Sequence, residues 1–313
     1  MADGSLAGKV AHDHGSLATT MVTARTCRRP ARSRMVARAE RYATTFLIYF
    51  LLLAGAVIIL TPLAWMISTS LKPKDMVFAY PPQWLPSPPR WQNYPEALST
   101  EPFGRFFLNT TFITVLNVIG SLLSCSLVGF SFARLRWRGR DLMFIIMLST
   151  MMLPYTVTLI PQYVIFRLFH WVDTFYPLWV PGFFGTPFLI FLVRQFFRTI
   201  SPELDDAARI DGCGVLGLYW RILLPLSKPV MAACAIFTFN WTWNDFLGPL
   251  IYINSKEKFT LSIGITVFRS AAHGTDWHYL MAASLVMVTP VVVLFFFAQK
   301  YFIQGIVFTG VKG

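Results

Sequence analysis

The chain has 313 residues, of which 55% are hydrophobic, 16% are aromatic and only 13% are charged. Soluble domains carry about 25% charged residues, so this composition excludes an ordinary water-soluble globule and predicts an integral membrane protein. The formal net charge of +12 does not indicate nucleic-acid binding, because the positive charges gather in loops beside apolar runs. The four cysteines are scattered without a CxxC pair, so we expect no disulfide framework.

Six segments are long and apolar enough to span a bilayer, which takes about 20 residues. The fold class that we predict is therefore an all-α integral membrane protein with six transmembrane helices. The predicted spans are Thr44–Ser70, Phe106–Phe132, Leu142–Phe169, Leu178–Phe197, Pro229–Tyr252 and His278–Phe302. Several contain proline, which membrane helices tolerate when neighbouring groups bond the freed carbonyls.

The distribution of arginine and lysine predicts the orientation. Three arginine-rich regions lie on one side of a six-span topology: the N-terminal tail, the loop Ala133–Asp141 and the fourth-to-fifth connection. We expect all three, and both termini, to be cytoplasmic in a bacterial or archaeal plasma membrane. The Pro-, Trp- and Tyr-rich loop Lys72–Arg105 would then face outward, either as a docking surface for an external protein or as a folded cap over the helix ends.

Four regions follow from this topology. We predict a disordered basic tail at 1–41, a first helix with its outer loop at 42–105, a core membrane domain at 106–303 with a cytoplasmic segment at 201–225, and a cytoplasmic tail at 304–313. The Arg28-Arg29 pair also fits a twin-arginine signal, but the apolar run after it is too long for one, which favours a retained helix. Met35 is an alternative to Met1 as the start of the protein.

Catalytic signatures are missing from the sequence. It contains no phosphate-binding G-x-x-x-x-G-K-[ST], H-E-x-x-H or G-x-S-x-G motif, so we predict a non-catalytic chain that needs no cofactor. Asp245 is the carboxylate that stands out within a predicted span. An ion-coupled carrier usually needs more ionisable groups at membrane depth. If the chain transports a solute, we therefore expect another subunit to supply the energy.

The segment 201–225 combines acidic residues and glycines between two spans. Ser201 fits a helix N-cap, with Pro202 in the first helical position and Glu203, Asp205 and Asp206 in the first turn. Leu204, Ala207, Ala208 and Ile210 would form a small apolar face. Gly212 would end this helix, and a second short helix would run over Val215–Leu223, with Tyr219 and Trp220 as knobs and Pro225 closing it. The pattern predicts a water-facing plug for a partner, with an amphipathic loop on the membrane surface as the alternative.

This segment resembles that of the permease subunits of binding-protein-dependent ABC importers. Their pattern is EAA, three residues, Gly, nine residues and I-x-L-P. In this chain the pattern is Asp206-Ala207-Ala208, then Gly212, then Ile222-Leu223-Leu224-Pro225. It departs from the family in two places: Asp206 replaces the usual Glu, and Cys213 replaces an Ala that is common there. Further stretches are similar to sequences in the carbohydrate branch of this family, which includes the maltose-type second membrane subunit. They are PPQWLPSPPRWQNY, FLVRQFFRTISPEL, WNDFLGPLIY and QKYFIQGIVFTGVKG.

The resemblance implies an ABC type I importer permease fold and a coupling helix seated in a cytoplasmic ATPase subunit. Its carried-over residues are Glu203, Asp206, Ala207, Ala208, Asp211, Gly212, Tyr219, Trp220 and Pro225. It also implies three kinds of partner: a related second permease, a dimer of ATP-binding subunits and an extracytoplasmic solute-binding protein.

The translocation path is a separate expectation. Asn240, Trp243 and Asn244 fall at helical spacing on the fifth span, where amides and an indole could bind sugar; bonding to neighbouring helices is the alternative. Asp245 and Gln162 are further candidates. Asn109, Asn117, Ser121 and Ser124 form a polar stripe on the second span, for which we expect a packing role. A self-sufficient secondary carrier for a small polar solute stays the alternative function, and the sequence does not name the sugar.

Overall fold

The computed structural model describes residues 31–270 and 274–307, with side chains over residues 39–269 and 274–299. Its helices are α1 (Ala31–Ser70), α2 (Asn93–Thr100), α3 (Phe103–Arg134), α4 (Arg140–Ser149), α5 (Tyr155–Leu168), α6 (Tyr176–Trp179), α7 (Pro187–Thr199), α8 (Glu203–Ile210), α9 (Val215–Gly217), α10 (Leu224–Leu226), α11 (Lys228–Trp243), α12 (Leu247–Tyr252), α13 (Leu261–Gly264) and α14 (Trp277–Val307). Short 3-10 turns lie at Lys74–Met76, Thr150–Met152, Val180–Phe184, Lys256–Lys258 and Ile265–Phe268, and a π-helical turn joins α9 to α10 at Leu218–Leu223. Strands β1 (Arg269–Ser270) and β2 (Gly274–Thr275) form one antiparallel pair, with Arg269 opposite Thr275.

The chain divides into two compact units, residues 1–60 and 61–313. The first contains most of α1, whose apolar side chains from Phe46 to Leu60 are largely exposed, as expected of a helix that meets lipid. Because α1 begins at Ala31, the predicted disordered tail is wrong for residues 31–41, which are helical. Residues 1–30 lie outside the described residues. The predicted C-terminal tail at 304–313 is corrected for residues 304–307, which continue α14, and its residues 308–313 lie outside the described residues.

Helix α3 organises the second unit. Its 32 residues correspond to about 48 Å of helix. One end packs through Phe103 and Phe106 into a core with Trp243, Leu261 and Phe268. The other end packs through Phe130 and Phe132 into a second core, with Phe144, Leu189, Val193, Phe197 and Tyr219. These two cores mark the two ends of the unit.

Small residues let the helices around α3 approach closely. A Cβ at Gly129 would lie 2.9 Å from Val193 on α7, and one at Gly120 would lie 2.3 Å from the Phe183 ring. Both distances are below contact, so glycine is what permits these crossings. Two residues of the polar stripe on α3 take the packing role expected of it: Asn109 donates to the carbonyls of Glu257 and Phe259, and Ser124 donates to the Gly182 carbonyl. The other two, Asn117 and Ser121, line the cavity described below.

Four helical segments of the described chain have the length and hydropathy of a span: Ala39–Ser70, Phe103–Arg134, Tyr176–Thr199 and Trp277–Gln299. Two further pairs qualify only as bent units. The stretch Arg140–Met152 meets Tyr155–Leu168 at 101°, and Val215–Leu226 meets Lys228–Trp243 at 78°. The structure therefore has four to six spans, and the predicted continuous span Leu142–Phe169 is broken. The break falls at Pro154, which disfavours helical geometry in the residue before it.

The fifth predicted span, Pro229–Tyr252, is also corrected. Helix α11 ends at Trp243, and α12 starts separately at Leu247. Asn244 and Asp245 therefore lie in a non-helical connection, in which their amides still donate to the carbonyls of Asn240 and Thr242. Pro229 sits in the first turn of α11, a position that requires no backbone donor.

The loop Lys72–Arg105 folds as a cap at the Phe103 end of α3 while leaving apolar side chains exposed. Buried Asn93 donates to the carbonyls of Ser70 and Lys72, both at 2.8 Å. Glu96 accepts hydrogen bonds from Arg90 and from Tyr279 of α14. Tyr80 and Leu85 remain almost fully exposed. The folded-cap alternative thus describes the loop, and its exposed residues keep the docking prediction open.

A second anchor at this end is Asp173, between α5 and α6. Its carboxylate accepts hydrogen bonds from the backbone of Asn254 and Ser255 and pairs with Lys258 at 3.0 Å. These donors, the Ser255 hydroxyl first among them, hold the pKa of Asp173 well below its ordinary value. The residue also has a positive φ of 60°, a conformation that Asp and Asn tolerate better than most residues.

Candidate functional site

Helix α8 begins at Glu203 with Pro202 in the N-cap position, one residue later than the sequence predicts. The Ser201 hydroxyl accepts a hydrogen bond from the Glu203 amide at 3.3 Å, so it satisfies one of the free donors at the helix start. Glu203, Asp205 and Asp206 occupy the first turn. Their charges oppose the positive end of the helix dipole.

The corner after α8 is a Schellman motif centred on Gly212. The Cys213 amide donates to the Ala208 carbonyl at 2.8 Å, and the Gly212 amide donates to the Arg209 carbonyl at 3.0 Å. This pattern needs a left-handed residue, and Gly212 has φ +77°. A Cβ on Gly212 would meet no atom within 4 Å, so backbone conformation alone requires glycine here.

The corner presents an exposed ridge. Ala207, Asp211 and Gly212 are exposed, and Ile210 keeps 86% of its surface free. Val215 and Leu216 extend the same apolar surface beyond the corner. The predicted apolar face of α8 is partly wrong, because Ala208 is buried while Leu204 and Ile210 are exposed. The buried face consists of Asp205 and Ala208.

Asp205 anchors α8 to the transmembrane body, a role that the sequence did not reveal. Its carboxylate lies 3.4 Å from Arg134 Nε, and both side chains are less than a tenth exposed. Arg134, the last residue of α3, also donates to the Ile200 carbonyl at 2.8 Å. Burial raises the pKa of Asp205, and the Arg134 charge opposes that effect. A carboxylate in a first helical turn is ordinarily solvated, so spacing alone gives no signal of this pair.

Tyr219 does not act as a knob for a partner, contrary to the prediction. It is fully buried, its ring packs on Phe130, and its hydroxyl lies 2.7 Å from the Ser126 hydroxyl of α3. The π-helical turn carries Tyr219 inward and leaves Trp220 half exposed. Of the two predicted aromatic contacts, Trp220 alone is accessible.

Pro225 does not close the second helix, which is a further correction. The helical stretch continues through Pro225 to Leu226 and breaks at Ser227, whose hydroxyl donates to the Leu224 carbonyl at 2.8 Å. The bend before α11 therefore follows Pro225 by two residues. Pro225 itself is exposed.

A polar cavity of about 660 Å³ lies midway along α3. Its lining residues are Asn117, Ser121, Tyr155, Thr186, Thr238, Trp241, Thr242 and Asp245. Asn117 donates to the Thr242 hydroxyl at 3.1 Å, and Asp245 accepts from the Gly248 amide at 3.1 Å. Trp241 is 49% exposed, so an aromatic face stands beside hydroxyl, amide and carboxylate groups. This combination suits a polyhydroxylated ligand.

Of the predicted path residues, Asp245 lines this cavity. Asn240 and Asn244 are exposed, and the Asn244 amide donates to the Asn240 side chain at 2.9 Å, so they bond each other rather than a neighbouring helix. Trp243 is buried, and its Nε1 donates to the Met287 carbonyl at 3.0 Å. The predicted shared face is wrong for Trp243, and the exposed indole is Trp241.

Gln162 lies on α5 and is half buried, but it does not line this cavity. Among the described residues, no group of three or more His, Cys, Asp or Glu side chains could hold a metal ion.

Broken membrane helices around a polar cavity, with an exposed glycine corner at one end, define a transport protein of the permease class. Residues 126–307 match the model of the family described as "binding-protein-dependent transport system inner membrane component". This match covers more than half of the chain. The chain belongs to this family and is an inner-membrane component of such a transport system.

Relatives agree with this assignment. The probable ABC transporter permease protein YurM of Bacillus subtilis (strain 168) is 32% identical over 80% of this chain and 83% of its own length. The arabinooligosaccharides transport system permease protein AraQ of Halalkalibacterium halodurans is 36% identical over 66% of this chain and 74% of its own. The sn-glycerol-3-phosphate transport system permease protein UgpE of Yersinia pestis is 30% identical over 83% of this chain and 94% of its own length.

The fold agrees as well. A chain from a bacterial ABC transporter involved in the import of the acidic polysaccharide alginate superimposes with a TM-score of 0.75. The alignment covers 85% of this chain and 98% of that chain at 24% identity. A structural likeness at 24% identity shows the fold alone, and this fold is that of a type I importer permease.

Proposed function

We propose that the chain is one permease subunit of an ATP-driven carbohydrate importer, forms half of the translocation path and couples to the ATPase through residues 201–225. The observation that carries this proposal is the exposed Schellman corner at Gly212. A monomer gains little from exposing a structured glycine corner flanked by Ile210, Val215 and Leu216, whereas a partner's groove would bury all three.

The buried Asp205–Arg134 pair supplies the mechanical link. It ties the partner-facing helix α8 to the last residue of α3, the long helix that runs between both cores. A push on the corner therefore acts on α3 rather than on a loose loop. The ATPase subunits would supply that push when they close on ATP, which explains why the chain itself needs no nucleotide motif.

The cavity supports a carbohydrate substrate. Trp241 would stack on a pyranose ring, while Thr238, Thr242 and Asp245 would bond hydroxyl groups. Asn240, Asn244 and Gln162 stay candidates for the same path outside the cavity. The names of two relatives give arabinooligosaccharides and sn-glycerol-3-phosphate as their substrates, so we infer an oligosaccharide or a related polyhydroxylated solute.

The remaining partners follow from the two ends of the molecule. Spans from one chain enclose half a pathway, so a second, related permease would complete it. A solute-binding protein would dock on the cap near Tyr80 and Leu85, which lies at the opposite end of α3 from the corner. The corner end is then cytoplasmic, and the arginine-rich loop Ala133–Asp141 at that end fits the positive-inside rule.

Uptake into vesicles tests this function. The chain would be co-reconstituted with the permease, ATPase and binding protein encoded beside it, and labelled arabinooligosaccharide uptake would be followed. We expect uptake that requires ATP and every partner. Uptake by this chain alone, driven by a proton or sodium gradient, would instead establish the secondary carrier.

A further inference from the structure

A second large cavity, of about 830 Å³, lies where the ends of α3, α4 and α7 meet α8. It is lined by six arginines and three aspartates, a formal excess of three positive charges. The charged lining residues are Arg134, Arg136, Arg140, Arg194, Arg198, Arg209, Asp141, Asp205 and Asp206. This concentration of guanidinium groups in one recess indicates an anionic ligand.

Some of these arginines are already engaged. Arg134 pairs with Asp205 at 3.4 Å, and Arg140 pairs with Asp141 at 3.0 Å. Arg194 is buried at the base, where its guanidinium lies 3.9 Å from the centre of the Phe144 ring. This packing fixes a guanidinium group in the cavity.

Two arginines at the rim have no such engagement. Arg136 and Arg198 are exposed and form no ion pair or hydrogen bond with any residue that the structure describes. Together with Arg194, they place three guanidinium groups in the lining of one cavity. Guanidinium groups bind phosphate oxygens in a bidentate manner, so a phosphate group fits this set of donors.

The surface beside the cavity is suited to lipid. A smaller recess of about 340 Å³ adjoins it, lined by Arg136, Trp137, Arg140 and Leu142. Along α4, Leu142, Met143, Ile145 and Ile146 are all exposed. A tryptophan between arginines and an apolar helix surface is typical of the membrane interface.

We propose that this cavity binds the phosphate group of an anionic phospholipid, with the headgroup between Arg136, Arg194 and Arg198 and the acyl chains along α4. Phosphate chemistry could also come from free phosphate, but the apolar surface of α4 favours the lipid. The site is separate from the sugar path, and the Asp205–Arg134 pair forms part of its lining.

Native mass spectrometry of the full-length chain in detergent tests the proposal, with phosphatidylglycerol and phosphatidylcholine titrated separately. We expect phosphatidylglycerol to bind more tightly, and the double variant R136Q/R198Q to weaken its binding about tenfold. The matched control is R138Q/R221Q, which removes two exposed arginines outside the cavity. If the double variant does not fold, the single variant R198Q replaces it, and we expect it to weaken phosphatidylglycerol binding by a smaller factor.

Three outcomes would overturn the proposal. Equal binding of both lipids, or equal losses of phosphatidylglycerol binding in the two double variants, would each mean that general surface charge attracts the lipid and that there is no specific site. Displacement of phosphatidylglycerol by millimolar inorganic phosphate would identify free phosphate as the ligand. Persistence of the bound lipid in that competition supports the lipid source.

Discussion

The buried pair of Asp205 and Arg134 determines how α8 is held. Replacing Asp205 with Asn leaves the Arg134 charge buried without a counter-charge, so we expect the free energy of unfolding to fall by about 1–3 kcal/mol. Thermal melting of the detergent-solubilised chain measures this. Asp206→Asn is the control, because Asp206 is exposed and lies 3.7 Å from Arg209, a contact of small energy.

A double variant tests whether the stability lost in D205N comes from the unpaired Arg134 charge. Replacing both partners by apolar residues, as in R134M/D205L, removes the unpaired charge and is expected to restore part of the stability lost in D205N. A double variant less stable than D205N would show that Arg134 and Asp205 do not act as a pair.

Asp173 predicts a dependence on pH at the other end of the molecule. Its pKa is lowered on folding, so its contribution to stability is fully present above the unfolded value of about 3.9 and is lost as pH falls below it. Asp173→Asn keeps the tolerance of positive φ but lacks the charge. We expect it to melt below the parent chain at pH 7, with a gap that stays nearly constant down to about pH 4 and closes as the pH falls further toward the lowered folded pKa. A gap that stays unchanged as the pH falls below about 4 would contradict the assignment.

Trp241 and Trp243 are two residues apart and have opposite roles. Trp241→Ala removes an exposed indole from the cavity, so we expect a raised KM for sugar uptake with melting almost unchanged. Trp243→Ala removes a buried side chain from the core and is expected to cost about 3–5 kcal/mol. Uptake kinetics and thermal melting of both variants measure these two roles. A W241A variant with unaltered KM would show that Trp241 does not contact the sugar.

At the scale of elements, the corner after α8 gives a matched pair of glycines. Neither Gly212 nor Gly214 has an atom within 4 Å of an added Cβ, but φ is +77° at Gly212, whereas Gly214 is extended. Gly212→Ala is therefore expected to strain the corner by about 1 kcal/mol and to lower ATPase capture, while Gly214→Ala leaves it unchanged. Co-purification of the ATPase with each variant measures the difference. Equal capture would mean that the left-handed corner is not needed for coupling.

The sequence predicted elements better than contacts. The start of α8 and the corner at Gly212 were predictable, because caps and left-handed turns depend on local chemistry. The break before α11 was predicted within two residues, but the breaks at Pro154 and after Trp243 were not, because an apolar run that contains proline can form either a continuous kinked helix or a broken one, and tertiary packing decides. The Asp205–Arg134 pair and the exposure of Trp241 depend on residues distant in sequence, and spacing on one helix cannot show them.

At the scale of the whole molecule, α3 joins two functional ends. The core around Phe103 supports the folded cap with exposed Tyr80 and Leu85, and the core around Phe130 supports the glycine corner. The polar cavity lies between them on the same helix. This order of cap, cavity and corner is what a permease requires if a binding protein acts at one end and an ATPase at the other.

The most direct test of coupling through the corner is site-specific photocrosslinking in native membranes. Ile210 and Leu85 are both 86% exposed, at opposite ends of α3, so a photoreactive residue at each position is a matched pair. We predict that position 210 captures the ATPase chain and that position 85 does not. Capture of the ATPase from position 85, or its absence at 210 in an assembled and active transporter, would contradict coupling through the Gly212 corner.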